Sequence, residues 1–492
     1  MTSESDPNPS TTSRRRFLAG AGAAAAATAG GIAGFVGARA IEERHRAPAG
    51  PFFGQRSHCH WIESAGIEEM APLPSLQGDQ MADVTIVGGG YTGLSAALHL
   101  AERFPERRIV LLEGSRVGYG ASGRNCGLLL PFINGAESIV HELVEAGKEE
   151  EARKVFDLTS AGIGLIRELS EERGVDCEFE NVENLMGAVT ENQEARLEAE
   201  QKTFAALGLN STWLSEAELR KRVDVEGYRG ALTVPTSAMI NPAKLAAGLL
   251  KLVLAAGVEV YEDSPALEIL PGSTVRVRTP RGEVRAPKLV LATNAYTHHL
   301  GFHRGRILPL HSHSIATAPL SEAQVEALSW TGRQPFFDVR SFFNLFRLTA
   351  DNRVLLSGGD GFYYYGGAAV DPAGHADYTR LARDLVKLFP SIAEVPVTHR
   401  WVGHVGTTLD FKPTVGAVGP GNNILFAGGY SGHGVTVAVL AGRLLRDLVA
   451  GEPLDPVYDF VLNRKPPGTP GEPLTSVGFG LAKRLIRWDD AR

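Results

Sequence analysis

The feature that most constrains this chain is a buried-strand pattern, Asp83-Val84-Thr85-Ile86-Val87, running directly into Gly88-Gly89-Gly90-Tyr91-Thr92-Gly93 and then into the helix-forming stretch Leu94 to Arg103. Strand, G-x-G-x-x-G turn and helix in that order predict the first βαβ unit of a dinucleotide-binding fold. Gly88 is expected to allow the sharp turn, Gly90 to let a pyrophosphate approach the backbone, and Gly93 to let helix and strand pack closely. The helix N-terminus, at Tyr91 and Thr92, offers amide donors and a favourable dipole. A second apolar strand, Arg108 to Leu112, ends at Glu113, twenty residues after Gly93. That spacing places a carboxylate at the ribose hydroxyls of an adenosine and disfavours a 2′-phosphate. Adenine dinucleotide binding follows, and the motif leaves FAD and NAD both open.

Glycine is abundant, 56 of 492 residues, against roughly 7% in average proteins, and it clusters again in two places. The loop Gly118-Tyr119-Gly120-Ala121-Ser122-Gly123-Arg124-Asn125-Cys126-Gly127 follows the second strand and is too glycine-rich for a helix. Near the other end, Phe426-Ala427 closes a short strand, Gly428 to Gly434 makes a second glycine-rich turn, and Val435 to Ala450 carries apolar residues at helical spacing. A second helix N-terminus is therefore available to an anion. Between these lie a helix opened by Asn241-Pro242 and running to about Ala256, a strand Val258 to Tyr261 leading to Pro265-Ala266, and a strand Lys288 to Leu291.

In order and spacing, Gly120-Ala121-Ser122-Gly123-Arg124-Asn125-Cys126-Gly127, Ala292-Thr293-Asn294-Ala295-Tyr296 and Gly428-Gly429-Tyr430-Ser431-Gly432-His433-Gly434-Val435-Thr436 resemble the FAD-dependent D-amino acid oxidase superfamily, especially its gamma-glutamylputrescine oxidase type. The resemblance runs from about His60 to about Pro453. It implies an α/β fold: a Rossmann-like FAD-binding domain of the glutathione-reductase type, interleaved with an α+β substrate domain on a mixed or antiparallel sheet. The FAD domain would comprise residues 81–145, 236–302 and 398–455, and the substrate domain 146–235 and 303–397, with 41–80 a lead-in and 456–492 a tail. The resemblance further implies that Ala266 meets the adenine, and that Gly120, Ala121, Ser122, Asn125, Cys126, Gly127, Thr293, Asn294 and Gly429 hold FAD. It implies that Gly432, His433, Gly434, Val435 and Thr436 present the second helix N-terminus to the flavin, where amides and dipole stabilise negative charge. Relatives that tether the flavin use a cysteine late in the chain; none follows Cys177 here, so non-covalent FAD is expected. An unusual tether through Cys126 is the alternative.

A flavin that takes a hydride from a carbon bearing nitrogen needs that carbon held against its ring, a neutral amine and little water. No strong protein base is obligatory, so the candidates are groups lining the ring. Period-2 alternation along Ile307 to Ile315 puts His311 and His313 on one face, either to gate substrate or oxygen or to hydrogen-bond within a sheet. Trp401 is expected to wall the site or to pack in the core. Phe336-Phe337, Phe342-Phe343 and Tyr363-Tyr364-Tyr365 are candidates for an aromatic amine cage, and Arg340 and Arg347 for a bidentate carboxylate clamp. The expected activity is oxidation of the C–N bond of an amine or amino acid to an imine, with oxygen or a quinone as acceptor. Two other readings compete: a dehydrogenase feeding a membrane acceptor, and a non-catalytic flavin-holding protein with a binding or assembly role.

The chain is long enough for two or more lobes. Its 43% apolar and 21% charged residues are ordinary for a soluble globular protein, and a net charge of −7 without a basic, aromatic-rich face excludes nucleic acid as a partner. Three cysteines, an odd number with no Cys-x-x-Cys pair, argue against a disulfide framework and against a metal site. Ser13-Arg14-Arg15-Arg16-Phe17-Leu18 precedes an uncharged Ala/Gly-rich run to Ala38, and Ala38-Arg39-Ala40 offers a cleavage site. Residues 1–40 thus resemble a twin-arginine signal, and periplasmic or extracellular export through that machinery is expected, with an uncleaved membrane anchor as the alternative. The tail from Ser476 to Trp488 is amphipathic, with Lys483, Arg484 and Arg487. It predicts a helix that docks on its own body or touches a membrane or partner.

Overall fold

Val84–Val87 is buried at all four residues, as a central strand covered on both faces must be. Lys288–Leu291 and Ile109–Leu112 pair with it in parallel on either side, and Glu259–Tyr261 extends the sheet beyond the latter. On the other flank Ile424–Gly428 is parallel to Lys288–Leu291, and Thr414–Ala417 closes the edge antiparallel. The result is a six-stranded, mostly parallel sheet whose neighbours come from distant parts of the chain. This computed structural model describes residues 59–330, 332–368 and 378–490; the signal-like segment 1–40 lies outside them.

Helices Tyr91–Arg103 and Gly434–Ala450 pack against each other beside this sheet. Ser95 Oγ donates to the Val439 carbonyl at 2.7 Å, and a Cβ added at Gly442 would stand 2.4 Å from that of Ser95. Helix Pro242–Ala255 starts as its sequence suggests: Asn241 caps it by accepting from the Lys244 amide, with Pro242 in the first turn. A four-stranded sheet, in the order Gln80–Met81, Gly282–Ala286, Val275–Thr279, Glu268–Leu270, covers one side.

The second large unit is a nine-stranded mixed sheet. Phe336–Asp338 runs parallel to Asn184–Ala188, whereas the pairs made by Leu308–Thr317, Val354–Gly358 and Asn344–Leu348 are antiparallel. Val397–Thr407 belongs here too, pairing antiparallel along the whole of Leu308–Thr317. The expected boundary at residue 398 is corrected accordingly: a long strand with a long partner stays in its sheet, and the chain returns to the dinucleotide half only at Thr414. One face of the sheet is filled by Phe336 stacked on Phe346 at 4.5 Å and Trp330 on Phe389 at 5.6 Å.

The tail forms helix Leu474–Asp489 and docks on the body. Buried Asp360 pairs with Lys483 at 2.7 Å and with Arg487, and the Asp490 carboxylate accepts from the amides of Ser341 and Phe342. Among the described residues no helix is long and apolar enough to cross a membrane.

Candidate cofactor and active site

A cavity of about 540 Å³ lies where the two glycine turns meet, within the range of pockets that bury a small organic ligand. Gly88, Gly90, Tyr91 and Thr92 line one end, Glu113 with Gly114 and Ser115 lies beside them, and Ala266 sits between Pro265 and Leu267 in the same wall. Gly120, Ala121, Ser122 and Asn125 form another wall, Thr293 and Asn294 a third, and Gly432, Gly434 and Val435 the N-terminus of the second helix.

The glycines are needed for close backbone approach. Gly88 has φ +111°, and a Cβ there would stand 2.6 Å from the Ala292 carbonyl oxygen; at Gly90 it would meet Ser122 Oγ at 2.8 Å. Gly93 does not line the cavity. A Cβ there would lie 1.9 Å from the Gly88 carbonyl oxygen, so its role is helix-to-strand packing. Glu113 accepts from the amides of Gly89 at 2.7 Å and Ser115 at 2.9 Å, which holds the fingerprint loop in shape. Burial raises the Glu113 carboxyl above its ordinary range, and those two amides oppose the rise.

The two helix N-termini are wired together. Thr92 Oγ1 and the Tyr430 hydroxyl are 2.6 Å apart, both buried and both at the cavity. Asn294 Oδ1 accepts from the Gly429 amide at 2.9 Å, so the second glycine turn is pinned to the end of strand Lys288–Leu291. Gly429 itself stands behind the wall with φ +75°. His433 is the residue before the second helix, and Thr436 donates its hydroxyl to the Leu130 carbonyl; neither lines the cavity.

Residue Cys126 departs from expectation. It is absent from the wall, its thiol is pushed up to about 11 by burial, and its carbonyl and the following Gly127 face Arg347 and Ile240. It is not placed to tether a flavin, because the loop turns its side chain toward the large sheet once Asn125 has passed the cavity. Of its two expected roles Trp401 takes the core one: it is buried among Trp61, Ile62 and Leu355 and donates Nε1 to the Arg124 carbonyl at 2.9 Å. It supports Arg124, which does line the cavity, rather than walling it.

His311 and His313 share a face but stand one layer back. His311 is fully buried, edge-on to Tyr364 and to His404, each at 4.6 Å. His313 packs on Phe362 and Tyr378. Two histidines line the cavity: His299 and the cross-strand partner of His311, His404, whose Nδ1 is 2.7 Å from the hydroxyl of Tyr296, also in the wall. Sequence reasoning missed His404, although the strand register makes it the residue opposite His311. Of the aromatic groups, Phe336 is core, Tyr363 donates to Glu472, and Phe343 approaches Gly432 at the cavity rim. The carboxylate clamp is not formed: Arg340 pairs with Asp338, and Arg347 is turned onto backbone carbonyls.

Two helix N-termini, a carboxylate at the ribose position and glycines a Cβ would fill make a cradle that fits an extended dinucleotide with two charged segments. Residues 83–448 match the family model described as DAO, FAD dependent oxidoreductase. The chain belongs to this FAD-dependent oxidoreductase family. Within the family, the chain is 35% identical to gamma-glutamylputrescine oxidoreductase of Escherichia coli over 402 residues, covering 80% of this chain and 90% of that one. It is 31% identical to the probable oxidoreductase OrdL of Haemophilus influenzae over 389 residues, covering 77% and 85%. Solved DAO-like folds superpose well: glycine oxidase from Geobacillus kaustophilus with TM-score 0.63, 22% identity and coverage of 78% of this chain and 99% of that one. L-proline dehydrogenase from P. horikoshii gives TM-score 0.64 at 18% identity, with coverage of 78% and 96%. As a DAO-family enzyme the chain takes FAD, and its fingerprint, Glu113 and second helix N-terminus are the residues that fit it.

Proposed function

We propose that this enzyme oxidises the C–N bond of an amine or amino acid to an imine, which water then hydrolyses. The observation that carries the reading is the 35% identity over 90% of gamma-glutamylputrescine oxidoreductase, with the cofactor cradle intact. Bound FAD supplies the two-electron acceptor for the hydride of the carbon bearing nitrogen. The helix N-terminus at Gly434 and Val435 offers amides and a dipole toward negative charge in the cavity. The Tyr296–His404 pair, whose ring Nδ1 and hydroxyl lie 2.7 Å apart in the cavity wall, is the group that takes the proton a substrate ammonium must lose. Arg124, held by the carbonyls of Tyr119 and Val402, fixes the loop between cofactor and large sheet. Electrons then pass to oxygen or to a quinone.

Export is part of the proposal. Its support is the order of Arg14-Arg15-Arg16, the uncharged run to Ala38 and the small residues at 38–40. The deciding experiment is the visible spectrum of the FAD-loaded protein, kept anaerobic, with polyamines, N-methyl amino acids and D- or L-amino acids added singly and air admitted afterwards. Bleaching by one class names the substrate class, and fast return of colour with hydrogen peroxide identifies oxygen as acceptor. A flavin that no amine or amino acid bleaches overturns the reading and favours a non-catalytic, flavin-holding role.

A further inference from the structure

Arg347, on strand Asn344–Leu348 of the large sheet, is fully buried. Its Nη1 donates to the carbonyls of Ile240 at 2.7 Å and Cys126 at 3.3 Å, and its Nε to that of Leu348 at 3.2 Å. Nη2 has no hydrogen-bond partner, and among the described residues no carboxylate pairs with this guanidinium. The acid whose field acts most on it, Glu180, is already held by Arg333 at 3.2 Å. Trp61 offers a ring face 5.3 Å away. Burial lowers the pKa to about 10, which leaves the group charged at neutral pH.

A cation held in the interior without a counter-ion is costly, and three neutral carbonyls offset only part of that cost. A packing role alone would be served by an uncharged side chain of similar length. The position of the charge matters. Cys126, whose carbonyl it touches, directly follows Arg124 and Asn125, which line the cavity. At Gly127 a Cβ would come within 2.8 Å of Nη1 and 2.1 Å of the Ile240 oxygen, so the loop lies flat against the guanidinium. The charge thus stands one residue behind the cofactor wall and is itself shut off from solvent, where a field is weakly screened.

We infer that Arg347 is a charge-setting residue for the flavin: from behind the loop Arg124–Gly127 it stabilises the negative charge of the reduced cofactor without touching cofactor or substrate. This rests on FAD binding and not on the choice of substrate, so its test uses no amine. Sulfite, which adds to oxidised flavin and leaves negative charge on the ring, is titrated into the FAD-loaded protein, and the midpoint potential is measured with a reductant and a reference dye. Arg347→Gln keeps a donor for the Ile240 carbonyl and removes the charge, and Arg347→Lys keeps the charge. At pH 7, Arg347→Gln is expected to bind sulfite about tenfold more weakly and to shift the two-electron potential down by the equivalent of about tenfold, about 30 mV. Arg347→Lys should stay within about twofold of the unmodified protein. An unchanged sulfite affinity and potential in FAD-loaded Arg347→Gln overturn the assignment. Loss of FAD from both variants also overturns it, because Arg347 is then a staple for the loop. If Arg347→Gln alone loses FAD, Arg347→Lys decides: retained affinity supports the role of charge and lost affinity overturns it. Failure of every amine to bleach the flavin would overturn the function proposed above and leave this measurement intact.

Discussion

The 2.6 Å contact between Thr92 and Tyr430 joins residues 338 positions apart and fixes the distance between two helix N-termini. Removing one hydroxyl leaves the other buried without its partner, at a cost of about 1–2 kcal/mol. Tyr430→Phe is therefore expected to lower thermal stability and to weaken FAD retention, measured by melting and by fluorescence titration. Thr92→Val combined with Tyr430→Phe should cost less than the sum of the single changes. His313 behaves differently, since burial lowers its pKa from 6.5 to about 4, with Arg380 adding to the shift and Asp360 opposing it. The unfolded chain then binds more protons than the folded one, so this contribution is complete above pH 6.5 and is lost as pH falls toward 4. It amounts to at most about 3 kcal/mol. Melting scans across that window should show a shallower fall for His313→Leu than for the unmodified protein, and parallel curves would refute the argument.

At the scale of elements, the cofactor cradle depends on two helices crossing at Ser95 and Gly442, where an added Cβ would stand 2.4 Å from Ser95. Gly442→Ala is expected to destabilise by about 1–3 kcal/mol through overpacking, despite the better helix propensity of alanine. FAD affinity should fall with it, because both N-termini move; a stability loss with unchanged affinity would separate the two effects. The elements themselves were largely legible. Strand, glycine turn and helix announce themselves at 83–103 and again at 424–450, since period and glycine chemistry are local. The place of Val397–Thr407 was not legible, because its pairing with Leu308–Thr317 is decided by a partner some ninety residues away. For the same reason His311 was visible as a histidine on a strand, while His404, which the register carries to the cavity, was not. Trp401 shows the converse: an aromatic near the site by sequence, it spends its indole N–H on Arg124 and its ring on the core.

At the scale of the molecule, the C-terminal helix is clasped to the large sheet by Asp360, whose carboxylate meets both Lys483 and Arg487. Asp360→Asn leaves a half-buried ammonium without its counter-ion, and should cost about 2–3 kcal/mol, discounted for the exposure of Arg487. Faster amide exchange confined to residues 474–489 is the expected signature; unchanged exchange there would show that the apolar face and the Asp490 contacts to Ser341 and Phe342 hold the helix without Asp360. The central sheet has a further consequence, for the kinetics of folding. Its parallel neighbours Val84–Val87, Lys288–Leu291 and Ile424–Gly428 are separated by two long excursions of chain. Such pairings give a high contact order, and loop closure must come before any reward from the ladder. During synthesis the first glycine turn leaves the ribosome long before the second. A nascent chain that stops short of Gly434 has the walls at Glu113, Ala266 and Asn294 but lacks the second helix N-terminus, so FAD capture is expected late in synthesis.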